Sequence, residues 1–163
     1  MKTEKTKMQL AAAKAIYTDK WTQTMFNHQT NKMAHRWKFT PFRGKKKRDS
    51  KGVVDVLAIR RNTADPNKPP LKANDLFEFI LVQLKGGGAL FPSQDDLARL
   101  WAVRDHYDAK EVVLFERRKS RCTFSVLRKS RDEVLEWVKS DRHSIFGKPA
   151  RSTRKVKRVG AKK

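Results

Sequence analysis

Three residues near the middle of the chain could act together chemically: Asp55, Gln83 and Lys85. They lie in GVVDVLAIR (52–60) and FILVQLKGGG (79–88), two runs that are otherwise apolar and β-branched. Runs of that kind read as strands. Successive strand residues point to opposite faces, so Gln83 and Lys85 share a face, about 7 Å apart along the strand. If the two strands pair as a hairpin across the loop at 62–75, Asp55 meets both. Burying a lone carboxylate or ammonium is expensive unless it is paired or bound to a metal. The trio is therefore either a structural ion pair between Asp55 and Lys85, with an amide beside it, or a site.

The elements that must position these residues follow from local pattern. Residues 3–17 read as a helix, with Met8, Ala12, Ala15 and Ile16 on one side. Residues 18–35 are polar, with Trp21, Met25 and Phe26 fit to make a short helical turn on the core. RWKFTPF (36–42) alternates as a first strand, and RGKKKRDSKG (43–52) is a basic loop. Strands at 52–60 and 76–85 follow, separated by the Pro-, Asn- and Asp-rich loop 62–75. Ser93 with Asp96 makes a capping pattern, and Leu97, Leu100, Trp101 and Tyr107 recur at helical spacing. EVVLFE (111–116) and CTFSVL (122–127) are two short strands around RRKSR, and Ser130 with Glu133 suggests a second capping box opening a helix to about 140. The order predicts an α/β fold, a mixed central sheet flanked by helices. We expect an N-terminal helical basic segment (1–35) packed on a core domain (36–141), and a disordered basic tail (142–163).

Charge narrows the partner. The chain has 163 residues and a net charge of +22. Residues 1–52 carry 14 Lys or Arg against 3 Asp or Glu, and residues 128–163 carry 13 against 4. Residues 53–127 are near balance, at 12 against 10. Basic flanks on a near-neutral core attract a polyanion by releasing its counterions. Nucleic acid is the expected partner, gripped by Lys45, Lys46, Lys47, Arg48 and Lys51, and by Arg154, Lys155, Lys157 and Arg158. Trp37, close to this first run, is the aromatic best placed in sequence to touch a base. No run approaches the ~18 apolar residues of a membrane span. Cys122 is alone, which excludes a disulfide framework and a thiolate zinc cluster and fits a reducing compartment. The expectation is a protein of the cytoplasm or nucleoid that does not enter membranes.

The ordered combination of Asp55 in GVVDVLAI with Gln83-Leu84-Lys85 resembles the PD-(D/E)xK, restriction-endonuclease-like, nuclease superfamily. It is most similar to the branch with Gln-x-Lys in the second motif, the Mrr-type restriction nucleases; archaeal Holliday junction resolvases are more distant relatives. The resemblance covers roughly residues 36–127 and implies an αβββαβ core. It implies a Mg²⁺-dependent (or Mn²⁺-dependent) DNA endonuclease acting on duplex or branched DNA. In that reading Asp55, the Gln83 side-chain oxygen and the Leu84 carbonyl hold the metal. Lys85 orients or activates the attacking water and steadies charge developing on the phosphate. Such an ion takes hard oxygen ligands and shares its shell with phosphate oxygens. Family members often act as homodimers, since one site cuts one strand.

Two departures from the family pattern stand out. An amide replaces the usual carboxylate, which removes a negative charge from the metal site. The glutamate that relatives supply from the N-terminal helix has only Glu4 as a counterpart, 51 residues before Asp55. Gln94, nine residues after Lys85, resembles a polar position near the site in some relatives and equally suits a first helical turn. These departures keep an alternative open: a catalytically inactive nucleic-acid-binding module of the same fold, with RNA as well as DNA in range. The remaining polar residues read as ordinary structure. Glu78 has the wrong strand parity for a ligand, and His28, His35, His106 and His143 lack metal-ligand spacing.

Overall fold

The computed structural model describes residues 6–33, 36–42 and 52–148. Helix α1 (Lys7–Thr30) is capped by Thr6, whose hydroxyl accepts from the Gln9 amide while the Gln9 side chain accepts from the Thr6 amide. This capping box satisfies two otherwise orphaned donors. A single 3-10 turn (Asn31–Met33) ends the helix. Strands β1 (Lys38–Pro41), β2 (Val56–Arg61) and β3 (Phe77–Gly86) form an antiparallel meander. Helix α2 (Gln94–His106) then carries the chain over to β4 (Glu111–Arg118), which runs parallel to β3. Strands β5 (Arg121–Lys129) and β6 (Leu135–Ser140) extend the sheet antiparallel, and α3 (Arg142–Phe146) closes the described chain. The sheet has six strands in the order β1-β2-β3-β4-β5-β6. The fold is mixed α/β, and α1-β1-β2-β3-α2-β4 is the expected αβββαβ order.

Each face of the sheet has its own apolar layer. Ile80 and Val82 of β3 lie with Val56, Ala58, Val113, Phe115 and Phe124 beneath Phe26 of α1. Leu81, of opposite parity, lies with Val112 and Leu127 against Leu97 and Leu100 of α2. This is the period-2 partition expected of a sheet covered on both faces. Phe26 is fully buried and meets Phe39 and Phe115 edge-on, at ring-centroid distances of 5.5 and 5.4 Å. Truncating such a ring to Ala costs about 3–5 kcal/mol.

The structure corrects several sequence expectations. Helix α1 runs on through residues 18–30, because Thr22, Phe26 and Thr30 form a buried stripe at four-residue spacing. The threonines hide that stripe from a hydrophobicity reading; their hydroxyls donate to Thr18 and Phe26 carbonyls within the helix. No helix opens at Ser130. Ser130–Glu133 is instead the turn of the β5–β6 hairpin, with the Ser130 amide donating to Val134 and Glu133 at φ 64°. Leu135 and Trp137 then alternate as a strand against Lys129 and Leu127. Residues 142–146, expected in the tail, form α3 and bury Ile145 and Phe146 in the α1-side core. Trp37 is 1% exposed and donates from Nε1 to the Phe146 carbonyl at 2.8 Å, so it is a core residue unavailable to a base. No described helix is long and apolar enough to cross a membrane.

Candidate functional site

The polar trio meets where β2 begins and β3 ends. Asp55 precedes β2 by one residue, a shift from the expected mid-strand position. Its backbone still continues the sheet: the amide donates to the Val82 carbonyl at 2.9 Å, and its carbonyl accepts from Phe42 at 2.8 Å. The carboxylate turns across to β3, where Oδ2 accepts from the Leu84 amide at 2.7 Å. That amide belongs to the middle residue of Gln83-Leu84-Lys85, so Asp55 is fixed directly over the motif.

Gln83 is 7% exposed, and its Oε1 is buried with no hydrogen-bond partner among the described residues. An acceptor left that way costs about 1–3 kcal/mol. Lys85 is half-buried and shares Gln83's face by parity. Among the described residues no ion pair reaches Lys85, whereas Glu78 at the other end of β3 has two. Lys85 does act on α2. Hydrogen bonds from the Ser93 amide and hydroxyl hold the Asp96 carboxyl below its ordinary value, and the charges of Lys85 and Arg99 push it the same way.

Asp55, Gln83, Leu84 and Lys85 line one open cavity of about 670 Å³, with Gly86, Gly88 and Ala89 beyond the strand end. The other wall is α1, contributing Lys14, Thr18 and Asp19. Close helix–strand contact sets this wall. A Cβ on Gly86 would lie 1.9 Å from Thr22 Oγ1 and 3.3 Å from Thr18 Cγ2. Gly87 adopts φ 64°, and a Cβ there would lie 2.8 Å from Thr18. Small residues at 86 and 87 thus let α1 cross the end of β3.

Asp19 is the residue that sequence reading missed. It is the sole carboxylate in the 24 residues of α1, and the length of that helix brings it to the cavity. The signal available was an isolated acid among Lys14 and Lys20, three residues before Thr22 of the buried stripe. Glu4, the earlier candidate, lies outside the described residues, as do Lys45, Lys46, Lys47, Arg48, Lys51, Arg154, Lys155, Lys157 and Arg158. Gln94 opens α2 as an exposed first-turn residue and does not line the cavity. Glu78 is engaged at the opposite end of β3 by Arg60 at 2.6 Å and Lys110 at 3.4 Å.

The donor set suits a hard cation. Two carboxylates and a buried amide oxygen are oxygen ligands of the kind Mg²⁺ and Mn²⁺ take, and the partnerless Oε1 is the atom a cation would satisfy. Among the described residues no three His, Cys, Asp or Glu side chains cluster as a metal group. A third protein oxygen for such an ion would come, among the described residues, from an amide or carbonyl group. Cys122 is far from this role: burial pushes its thiol up, away from the thiolate form.

No family model matches the chain, and no curated protein matches it. Among solved structures the chain is similar to that of Archaeoglobus fulgidus Hjc, a Holliday junction resolvase from an archaeal hyperthermophile. The TM-score is 0.43 and the identity 13%, over 78% of this chain and 90% of that one. A likeness of that size adds no weight to a functional reading, which rests on the residues of the cavity.

Proposed function

We propose that the protein is a metal-dependent nuclease that hydrolyses phosphodiester bonds in duplex or branched DNA. One observation carries the reading: the buried, partnerless Gln83 oxygen lies in the same cavity as the Asp55 carboxylate and Lys85. Asp55, Gln83 Oε1 and the Leu84 carbonyl would hold a Mg²⁺ or Mn²⁺ ion, with Asp19 supplying the N-terminal-helix carboxylate to the same cavity. When bound, the ion polarises the phosphoryl oxygen and makes its water more acidic. The chain's own residues do the rest. The Leu84 amide holds the Asp55 carboxylate in place. Lys85 presents its ammonium on Gln83's face, where it can donate to the attacking water or a phosphate oxygen. Lys14 adds positive charge on the α1 wall, where the substrate backbone would enter. One carboxylate fewer than the common motif favours one-metal over two-metal chemistry. A homodimer, with each site cutting one strand, suits cleavage of both strands.

The test is cleavage of plasmid, single-stranded and four-way-junction DNA with Mg²⁺. Wild type should cut, and Asp55→Ala and Lys85→Ala should not. Equal activity, or equal inertness, across all three proteins removes the catalytic assignment. A second reading, a DNA- or RNA-binding module without hydrolysis, is favoured because, among the described residues, only Asp19 and Asp55 bring carboxylates to the cavity. It predicts salt-sensitive binding with no response to metal.

A further inference from the structure

The loop that leaves β3 carries the most exposed large apolar side chain among the described residues, Leu90, at 87%. Phe91 beside it is 47% exposed. Water gives no reason to present these two residues together, and the loop holds them firmly. The Ala89 amide donates to the Gly86 carbonyl at 3.2 Å, and the Gly87 amide to the Arg117 carbonyl at 3.1 Å. Pro92 is buried immediately after, and Ser93 caps α2. The apolar tip therefore has a fixed base on each side.

The bond from Gly87 also brings a second element alongside. The β4–β5 hairpin turns through Arg117-Arg118-Lys119-Ser120-Arg121, four cations in five residues. Arg117 Nη1 donates to the Lys119 carbonyl at 3.2 Å, which shapes the turn, and Arg118 lies 6.0 Å from the centre of the Phe91 ring. Glu116, at the end of β4, pairs with Arg118 at 2.5 Å. The same loop supplies Gly88 and Ala89 to the wall of the cavity that holds Asp55, Gln83 and Lys85. An exposed aromatic, a neighbouring leucine and a cluster of cations are thus continuous with the proposed site of hydrolysis.

We infer that this loop and hairpin form a binding surface for DNA carrying unpaired bases: Leu90 and Phe91 stack against or wedge beside an unpaired base, and the cations of 117–121 hold the phosphates that flank it. Every base offers an apolar face to an aromatic ring, and apolar side chains inserted at a step stabilise an unstacked geometry. Guanidinium and ammonium groups supply the backbone contacts that set register. A protein partner fits less well, since only two apolar residues stand among four cations, far short of an interface core. The inference rests on the nucleic-acid part of the proposed function and not on hydrolysis itself.

The experiment measures binding by fluorescence anisotropy with the full chain in EDTA, so that cleavage plays no part. The probes are a four-way junction, a gapped duplex with 2-aminopurine at an unpaired position, and a fully paired duplex of equal length. Leu90→Ala with Phe91→Ala should raise Kd for the gapped and branched DNAs about tenfold and leave the paired duplex within about twofold. Phe91→Tyr should restore binding and the 2-aminopurine quench. Arg118→Ala and Lys119→Ala should weaken all three probes together and lower the salt slope by about one per charge removed. An unchanged melting temperature is expected for each variant, because the altered side chains are exposed. The inference is overturned if the Leu90/Phe91 variant loses affinity equally for all probes, or for none, or if the wild type binds no DNA. If discrimination holds while no cleavage is seen with metal, the hydrolytic reading fails and this surface stands.

Discussion

The two ends of β3 handle polar groups in opposite ways. At the N-terminal end, Glu78 is engaged twice, by Arg60 at 2.6 Å and by Lys110 at 3.4 Å, and Arg60 lies 4.6 Å over the ring of Trp37. Each charge there has a partner, and the cluster fastens β2, β3 and the start of β4 together. At the C-terminal end, Asp55 is held by a backbone amide, Gln83 Oε1 is buried without a partner, and Lys85 has no ion pair among the described residues. A fold that engages Glu78 twice at one end, and among the described residues leaves the Gln83 oxygen and Lys85 without such partners at the other, has a reason for the difference. Groups kept ready for a ligand cannot also be spent on each other, and stability is lost where function is gained.

This contrast can be broken from either end. The largest effect is expected from Asp55→Asn. The amide oxygen can still accept from the Leu84 amide, while metal-dependent cleavage should fall by at least about a hundredfold. A rate within a few-fold of wild type would detach the site from the chemistry. Next is Gly86→Ala, whose methyl would press on Thr22 and break its hydroxyl's bond to the Thr18 carbonyl. We expect a loss of about 1–3 kcal/mol in urea unfolding. Glu78→Gln removes the charge from the satisfied end and should cost about 1–2 kcal/mol by the same measurement. Gln83→Leu has the opposite sign. In EDTA it should stabilise the protein by about 1 kcal/mol, because a buried acceptor without a partner is removed. If Gln83→Leu destabilised as Glu78→Gln does, the two ends would not differ as described.

The smallest effect concerns the caps that fix the flanking helices. The Asp141 carboxyl is held below its ordinary value by hydrogen bonds from the Ser144 hydroxyl and amide and from the His143 amide, and Asp96 is lowered by Ser93 in the same manner. A carboxyl lowered on folding stabilises the native state above its unfolded value, and that contribution is lost as pH falls through the folded value. Thermal melts should therefore show a modest decline below about pH 4. Asp141→Asn should flatten part of it by slightly lowering stability at neutral pH, with little change in acid.

Much of the positioning frame was legible from pattern. β3 shows because an apolar run ending in three glycines has few other readings, and α2 shows because Ser93 and Asp96 bracket a periodic stretch. The αβββαβ order followed from these. Other parts were hidden for physical reasons. The buried stripe of α1 is built from Thr22 and Thr30 around Phe26, and a threonine whose hydroxyl is satisfied inside its own helix packs as an apolar residue. Ser130 and Glu133 match a capping box in type and spacing, but the same residues suit a hairpin turn; the alternation of Leu135 and Trp137 decides for strand. Asp55, Gln83 and Lys85 were found because polar residues at strand ends stand out. Asp19 was not, since its place depends on how far α1 extends over the sheet. Trp37 was misassigned because adjacency to basic residues in sequence says nothing about which face a ring occupies.

Isothermal titration of Mg²⁺ and Mn²⁺ into the wild type, Asp55→Asn and Gln83→Leu tests the central claim most directly. The predicted result is saturable binding near one ion per chain in the wild type, with Mn²⁺ at least as tight as Mg²⁺, and little or none in either variant. Binding that persists unchanged in Asp55→Asn and Gln83→Leu, or no binding to the wild type, would contradict the assignment of this cavity as a metal site.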